Sequence, residues 1–198
     1  MGSRGCVGQV RHERRLKLIY DEFDTGIIGR LTLVADEQGL RHIEFESARH
    51  PILIDETWRR DASFFEDIKR QLRAYFNGHI RCFDLPLAPS GTPFQQRVWR
   101  ALQTIPYGTT VSYRWVAEKI GNPNAVRAVG GANARNPIPI IVPCHRVIGS
   151  NGTLTGFGGG LMVKQCLLDL EKANLRSKCG CAMVPDSYID QASCAAHG

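Results

Sequence analysis

A cysteine and a histidine stand side by side at Cys144 and His145, within the stretch IVPCHRVIG. The residues before them are apolar, so we expect the pair to be buried. Cysteine can act as a nucleophile and histidine as a base. Three interpretations are open: a structural cysteine beside a hydrogen-bonded histidine, a thiol hydrolase, or a cysteine that accepts a group and keeps it. A hydrolase would also need an oxyanion hole and access for water.

The surroundings predicted for Cys144 favour the third interpretation. The stretch IPIIVPCHRVIG is typical of a buried strand, on which neighbouring side chains point to opposite faces. We therefore expect His145 to reach Cys144 through a bridging water or a bend, and to need an acidic partner, for which Glu171 is the candidate. Because burial raises the pKa of a thiol, such a cysteine stays protonated until a base acts on it. This suits one irreversible transfer better than repeated turnover.

Basic residues are concentrated in one part of the chain. Between positions 90 and 146 there is one acid, Glu118, against seven bases, so this segment holds the whole net charge of +6. The bases are Arg97, Arg100, Arg114, Lys119, Arg127, Arg135 and Arg146. A concentrated positive segment favours a polyanionic partner such as nucleic acid.

The same segment has a helical pattern. Thr92, Pro93 and Gln95 form a capping box that begins one helix, which ends at positions 106–108. Ser112 is a candidate cap for a second, short helix, which is broken at positions 121–123. A third helix follows and ends at Asn136. Two short helices around a glycine-containing turn predict a helix-turn-helix.

The third predicted helix is rich in small residues. They are Ala125, Ala128, Gly130, Gly131, Ala132 and Ala134. Small side chains can serve to pack against neighbouring helices, or they can let a backbone approach another surface closely. In the second case the helix enters a narrow groove and carries Arg127 as a wedge.

The first half of the chain has an α/β pattern without visible catalytic residues. LKLIY, IGRLTLVAD and LRHIEFE predict an antiparallel meander. An amphipathic helix follows, and we interpret Trp58 and Tyr75 as core or interface aromatics. The apolar positions of that helix are Phe64, Ile68, Leu72 and Phe76. The proline- and glycine-marked segment 85–91 predicts a boundary between an N-terminal domain, 1–88, and a second domain, 89–175, before a flexible tail, 176–198.

Near the end, SNGT at 150–153 is typical of a hairpin turn, and a glycine-rich loop leads into a closing helix.

No apolar run is long enough to span a membrane, and the N-terminus lacks a signal-peptide core, so we expect a cytoplasmic protein. The seven cysteines have no framework spacing, which fits a reducing compartment. Cys179, Cys181, Cys194 and His197 do not have a standard zinc spacing, so we expect no metal and no cofactor.

Several motifs together resemble one protein family. VRAVGGANARNP, PCHRV at 143–147, the glycine-rich loop and LLDLE are similar in order and spacing to the O6-alkylguanine-DNA alkyltransferases, also called methylated-DNA–protein-cysteine methyltransferases. The resemblance covers positions 92–171 almost continuously and is closest to the bacterial constitutive type. It implies a ribonuclease-H-like N-terminal α/β domain with an antiparallel sheet. A mainly helical C-terminal domain with a winged-helix-like helix-turn-helix would follow.

The resemblance also implies roles for single residues. Cys144 would attack the alkyl carbon on guanine O6 and become S-alkylcysteine, while His145, held by Glu171, would take the thiol proton through water. Tyr113 would donate to the guanine ring nitrogen and crowd the adjacent phosphate, which helps to rotate the nucleotide out of the duplex. Arg127 would fill the gap that the flipped base leaves.

A second group of residues would form the pocket and the DNA surface. Asn136 would brace the network beside the cysteine, Pro139 and Phe157 would line the pocket, and backbone amides around Val147 and Gly158 would recognise the guanine edge. The residues expected to face DNA are Tyr113, Ala125, Arg127, Ala128, Gly130 and Arg135. The implied partner is double-stranded DNA that contains O6-alkylguanine, with O4-alkylthymine as a second substrate. The protein would be a monomer that can cluster on DNA, cytoplasmic, or nuclear in a eukaryote.

Two positions depart from the family pattern. Phe157 stands where a tyrosine is common, and Cys166 stands where a tryptophan is frequent. The vertebrate-type zinc ligands are not reproduced. Two other functions remain to be weighed: a non-catalytic lesion-binding relative, against which the presence of Cys144 argues, and a thiol hydrolase, against which the basic segment argues.

Overall fold

The computed structural model describes residues 17–48 and 52–176. Its first part is a four-stranded sheet with the order β3-β2-β1-β4. Strands β1 (Ile19–Asp24), β2 (Arg30–Asp36) and β3 (Gly39–Phe45) form the predicted antiparallel meander. The short strand β4 (Arg59–Arg60) pairs parallel with β1. Strand β3 therefore lies at one edge of the sheet.

Helix α1 (Glu66–Phe76) follows the sheet where the periodicity predicted it. Ile68, Leu72 and Phe76 are buried, and the Phe76 ring stacks on Phe23 of β1. The prediction was wrong for Phe64, which precedes the helix and is 42% exposed. The apolar face therefore begins one turn later than the sequence pattern indicated.

The second part is mainly helical. Helix α2 (Pro93–Gln103) begins with the predicted capping box, in which Thr92 and Gln95 bond each other's backbone. Strand β5 (Val111–Ser112) leads into helix α3 (Tyr113–Lys119), where the Ser112 side chain accepts from Trp115 N. Helix α4 (Val126–Ala134) and helix α5 (Gly160–Arg176) complete the set. Helices α2, α3 and α4 contact one another, and the buried Trp99 of α2 donates to the Ala132 carbonyl of α4 at 2.9 Å.

The buried strand predicted around Cys144 is not formed. Cys144–Arg146 is a single 3₁₀ turn, and only Val147–Ile148 (β6) is a strand, paired parallel with β5. Prolines at 137, 139 and 143 cannot donate to a sheet ladder. In addition, Ile140 has a φ of 74°, which breaks an extended path. The cysteine and histidine are therefore carried on a bend rather than on a straight strand.

The turn predicted at 150–153 is present without the hairpin. Gly149 N donates to Thr153 O at 2.9 Å, which closes the loop. Strand β6 pairs with the distant strand β5, and residues 149–159 form no second hairpin strand. The segment instead forms the loop between the Cys144 turn and α5.

Strand β3 connects the two parts of the molecule. Leu40 N donates to Pro86 O at 2.8 Å and Leu40 O accepts from Ala88 N at 2.9 Å, so the segment between α1 and α2 follows this edge. Further along the strand, Ile43 N donates to Pro137 O at 2.8 Å. The hydrophobic core is continuous across both parts. The edge of the sheet is thereby fixed against the loop that precedes Cys144.

Gly39, the first residue of β3, permits this close approach. A side-chain Cβ at this position would lie 2.3 Å from Pro86 O, and φ is +131°. Arg41 strengthens the junction: Nε donates to Asp36 at 2.8 Å, and Nη1 donates to Ala88 O at 2.9 Å. The two parts are thus joined by backbone pairing and by the hydrogen bond from Arg41 to Ala88 O, while the ion pair with Asp36 within the sheet holds the Arg41 side chain in place.

Candidate active site

Cys144 lies at a cavity of about 210 Å³ between β3, the end of α4 and the 3₁₀ turn. Its side chain is almost completely buried, with 3% of the residue exposed. Pro139 and Gly158, to which the family resemblance assigns roles in the pocket, line the same cavity. The thiol is therefore reachable only by a group that enters this cavity.

The environment of the thiol keeps it protonated. Burial raises the pKa of Cys144 to about 11, although a hydrogen bond with Asn136 acts in the opposite direction. Asn136 is itself held in place, because its Nδ2 donates to Val142 O at 2.8 Å and its Oδ1 accepts from Ile138 N at 3.1 Å. A base is thus needed before this cysteine can attack at neutral pH.

The base candidate, His145, is bonded to the carboxylate of Glu171. His145 Nε2 and Glu171 Oε1 are 2.9 Å apart, and both side chains are fully buried. The same carboxylate accepts from Tyr75 Oη at 2.7 Å, from Gly108 N at 2.8 Å and from Arg146 Nη2 at 2.8 Å. Three segments that are distant from one another in sequence therefore converge on the Glu171 carboxylate.

The charges of this cluster are set by burial and hydrogen bonds. Burial alone would raise the pKa of Glu171, but hydrogen bonds from His145 and Arg146 outweigh it and hold the pKa at about 2. Burial lowers the pKa of His145, and the bond to Glu171 offsets this only in part. The histidine is therefore neutral and the carboxylate charged, with Arg146 as the balancing cation.

This charge state assigns the histidine tautomer. A carboxylate can only accept, so the hydrogen of the neutral ring is on Nε2 and the lone pair is on Nδ1. Within residues 17–48 and 52–176, His145 Nδ1 and Asn133 Oδ1 are the buried side-chain polar atoms that lack a hydrogen-bond partner. His145 therefore has an acceptor available for a proton.

Three residues of the site were not recognised from the sequence. Tyr75 was interpreted as a core aromatic, yet its hydroxyl bonds Glu171. Arg146 was counted only as part of the basic segment, yet it pairs with the same carboxylate. Lys164 is fully buried, and its Nζ donates to Val147 O at 2.6 Å and to Thr155 O at 2.9 Å. Burial lowers the pKa of Lys164. Its position seven residues before Glu171 on an apolar helix face was the available signal.

Two other predicted pocket residues, Phe157 and Val147, do not line the cavity of Cys144. Phe157 packs against Phe45 with the ring centres 5.4 Å apart and lines an adjoining groove. Val147 is buried, its N–H bonds Cys144 O, and its carbonyl accepts from Lys164. Val147 does not line either cavity.

The predicted DNA-facing residues lie on α3 and α4 and at the two ends of α4. Arg127, Ala128 and Arg135 are exposed, and Gly130 is half-buried. A Cβ on Gly130 would lie 4.0 Å from the Tyr113 ring, so the start of α3 packs near the middle of α4. Ala125, just before α4, is half-buried. The Tyr113 hydroxyl accepts from Thr155 Oγ1 at 3.0 Å.

Neither a metal nor a membrane site is found in the described part of the chain. No group of three or more histidine, cysteine, aspartate or glutamate side chains there could hold a metal ion. No helix in that part is long and apolar enough to cross a membrane. The cysteines at 179, 181 and 194, considered above for zinc, and the predicted flexible tail lie outside the described residues apart from position 176.

Both parts of the chain match known family models. Residues 18–89 match the 6-O-methylguanine DNA methyltransferase ribonuclease-like domain, and residues 93–173 match the DNA-binding domain of the same family. A methylated-DNA–protein-cysteine methyltransferase of Methanosarcina barkeri is 51% identical over 159 residues, which are 80% of this chain and 100% of that protein. This chain belongs to the 6-O-methylguanine DNA methyltransferase family. The resemblance and the two-part fold class given under Sequence analysis are confirmed.

Solved structures of this family have the same fold. The Mycobacterium tuberculosis O6-methylguanine methyltransferase is 48% identical, with a TM-score of 0.73 over 79% of this chain and 94% of that one. A structure of Mycobacterium tuberculosis OGT in complex with DNA is 46% identical, with a TM-score of 0.72 over 80% of this chain and 94% of that one. A second relative by sequence, from Haemophilus influenzae, is 44% identical over 78% of this chain and 87% of that protein.

The Glu171 cluster predicts a specific acid sensitivity. The pKa of Glu171 is about 2 in the fold against an ordinary 4.5, so its stabilisation is complete above pH 4.5 and is lost as the pH falls towards 2. Such a difference corresponds to roughly 3 kcal/mol. Tyr75→Phe removes one donor, so we expect the free energy of unfolding to fall by about 1–2 kcal/mol at pH 7. The difference from the unmodified protein should shrink as the pH falls below 4.5.

Urea unfolding at pH 7 and at successive steps below pH 4.5 measures this effect. Tyr107→Phe is the matched control, since the Tyr107 ring packs edge-on to Tyr75 and its hydroxyl accepts from Asn174 instead. We expect a smaller loss in the control, without the acid dependence. Equal losses of unfolding free energy with equal pH dependence in both variants would show that Glu171 is not the origin of the acid sensitivity.

Proposed function

We propose that this protein repairs alkylated DNA by moving the alkyl group from guanine O6 to the Sγ atom of Cys144, once per protein molecule. The observation that carries the proposal is the buried thiol at the cavity, next to the His145–Glu171 pair. Membership of the 6-O-methylguanine DNA methyltransferase family and the names of the relatives support it.

The cluster provides the proton transfer that the reaction needs. His145 Nδ1 takes the proton of the thiol through a water molecule, and Glu171 stabilises the imidazolium that forms. The thiolate then displaces guanine at the alkyl carbon: the S–C bond forms and the C–O6 bond breaks. The guanine gains a proton, for which the Tyr113 hydroxyl is the donor. A thioether has no good leaving group, so the protein is not regenerated.

The helix-turn-helix supplies access to the base. A base within a duplex cannot reach a thiol that is 3% exposed, so the nucleotide must be rotated out. Ala125, Ala128 and Gly130 let α4 approach the minor groove closely, and the exposed Arg127 takes the place of the base in the stack. Arg135, also exposed, contacts the phosphate backbone.

The pocket then holds the flipped base beside the thiol. Asn136 braces the Cys144 segment, Pro139 and Phe157 form apolar walls, and backbone groups near Val147 and Gly158 recognise the guanine edge. The Val147 carbonyl accepts one hydrogen bond from Lys164, and its second lone pair can accept another.

Further features follow from the same chemistry. O4-alkylthymine presents an alkylated exocyclic oxygen and would be a second substrate. One chain carries the complete thiol–histidine–glutamate set, so a monomer is sufficient, and neighbouring copies can cluster on a duplex. The reactive thiol must stay reduced, which places the protein in the cytoplasm, or in the nucleus of a eukaryote.

Transfer to Cys144 can be weighed directly. After incubation with a duplex that contains O6-methylguanine, we expect the tryptic peptide with Cys144 to gain one methyl group per protein molecule, because the thioether is stable. Cys144→Ala should gain none, whereas Cys82→Ala, which removes an exposed cysteine, should behave like the unmodified protein. Tight binding without transfer would indicate a lesion-binding protein, and repeated turnover of a thioester or amide would indicate a hydrolase. Either result contradicts the proposal.

The wedge role of Arg127 can be separated from the chemistry. Arg127→Ala should slow transfer from duplex DNA by roughly tenfold or more, because the side chain offsets part of the unstacking cost. Transfer from free O6-benzylguanine, which needs no rotation out of a helix, should keep its rate. Arg97→Ala removes an exposed cation from α2 of the same domain and serves as the control. Equal effects of Arg127→Ala on both substrates would exclude the wedge role.

A further inference from the structure

The N-terminal sheet contributes directly to the cavity of Cys144. Ile43 N donates to Pro137 O at 2.8 Å, which fixes β3 against the loop before the cysteine. His42 and Glu44, the residues on either side of Ile43, line the cavity together with Cys144. This part of the wall belongs to the N-terminal domain, from which the Tyr75 hydroxyl also bonds Glu171.

A larger groove adjoins this cavity. It has a volume of about 640 Å³ and shares Glu44, Ala134 and Gly158 with the cavity of Cys144. It extends along the glycine-rich loop over Phe157 and Leu161. Most of its surface is apolar, and Glu44 is the charged residue among those that line it. A substituent that outgrows the inner cavity therefore passes Glu44.

The charge of Glu44 is only partly balanced. Its carboxylate lies 3.0 Å from Nε2 of His42, which is its ion-pair partner within the described residues. The Glu44 side chain is 18% exposed. Arg135 also lines the inner cavity, but it is exposed and donates to Gly131 O at 3.2 Å. An exposed cation is well screened by solvent, whereas a half-buried carboxylate acts on its surroundings more strongly.

We propose that Glu44 selects by charge among O6 substituents that extend from the inner cavity into the groove. Substituents that are neutral or carry hydrogen-bond donors are accepted, and substituents that carry a negative charge are disfavoured. The inference rests on the proposed transfer to Cys144 and specifies the substrate class of that site. Glu44 is thus a specificity-determining residue, and it takes no part in the bond changes.

Two substituents of nearly the same shape isolate the charge. On guanine O6, a carbamoylmethyl group ends in a neutral amide, whereas a carboxymethyl group ends in a carboxylate. Both groups react at the same CH₂ carbon. In each case the Sγ–CH₂ bond forms, the CH₂–O6 bond breaks, the thiol proton leaves through His145 and the guanine gains a proton. The ratio of the two transfer rate constants therefore reports charge selection.

The experiment measures second-order rate constants with duplexes that carry O6-methyl-, O6-carbamoylmethyl- or O6-carboxymethylguanine. A like charge several ångströms away in a partly buried site should make the carbamoylmethyl duplex react roughly tenfold faster than the carboxymethyl duplex. In Glu44→Gln and Glu44→Ala this ratio should fall at least about threefold, because the repelling charge is gone. Glu46→Gln is the matched control: Glu46 is exposed, lines neither cavity, and accepts a bond from Arg30 N that glutamine can also accept.

Each result decides between the alternatives. A ratio that falls in the Glu44 variants and stays in Glu46→Gln, with methyl transfer retained, supports the inference. An unchanged ratio with normal methyl transfer overturns it and leaves the proposed function intact. Loss of methyl transfer in both Glu44 variants also overturns it, since Glu44 would then serve the fold or the transfer itself. Absence of methyl transfer in the unmodified protein instead overturns the proposed function.

Discussion

The hydrogen bonding of the Glu171 carboxylate is the constraint on which the site depends. A buried carboxylate is costly unless donors surround it, and here they come from Tyr75, Gly108, His145 and Arg146. These donors belong to α1, the turn after α2 and the Cys144 turn. The single carboxylate therefore joins the N-terminal domain, α5 and the reactive turn, and it fixes which nitrogen of His145 is free.

The same burial that makes this cluster rigid makes the thiol unreactive. With a pKa of about 11, Cys144 is protonated at neutral pH, and the base next to it is neutral as well. The cysteine is thus protected from casual alkylation and reacts when a substrate fills the cavity and the proton can pass to His145. Because one transfer inactivates one protein molecule, low reactivity of the thiol towards other alkylating agents prevents loss of active protein.

The sequence predicted those features that depend on local patterns. The caps at Thr92 and Ser112, the meander and the closing helix follow from local spacing. The pairing of His145 with Glu171 followed instead from the need of the histidine for an acidic partner and from the family resemblance. The Cys144 turn was missed because an apolar run looks extended, whereas the prolines and the positive φ of Ile140 bend it. Tyr75 was missed because its partner lies 96 residues away, a distance over which no periodicity carries information.

Burial holds the Cys144 thiol protonated until His145 takes its proton. The most direct measurement is the rate of Cys144 alkylation by iodoacetamide as a function of pH, followed by the mass of its tryptic peptide. The protein unfolded in urea provides the reference, for which the ordinary thiol pKa near 9 applies. We expect a midpoint near 11 in the folded protein. A folded midpoint at or below that of the unfolded chain would contradict it.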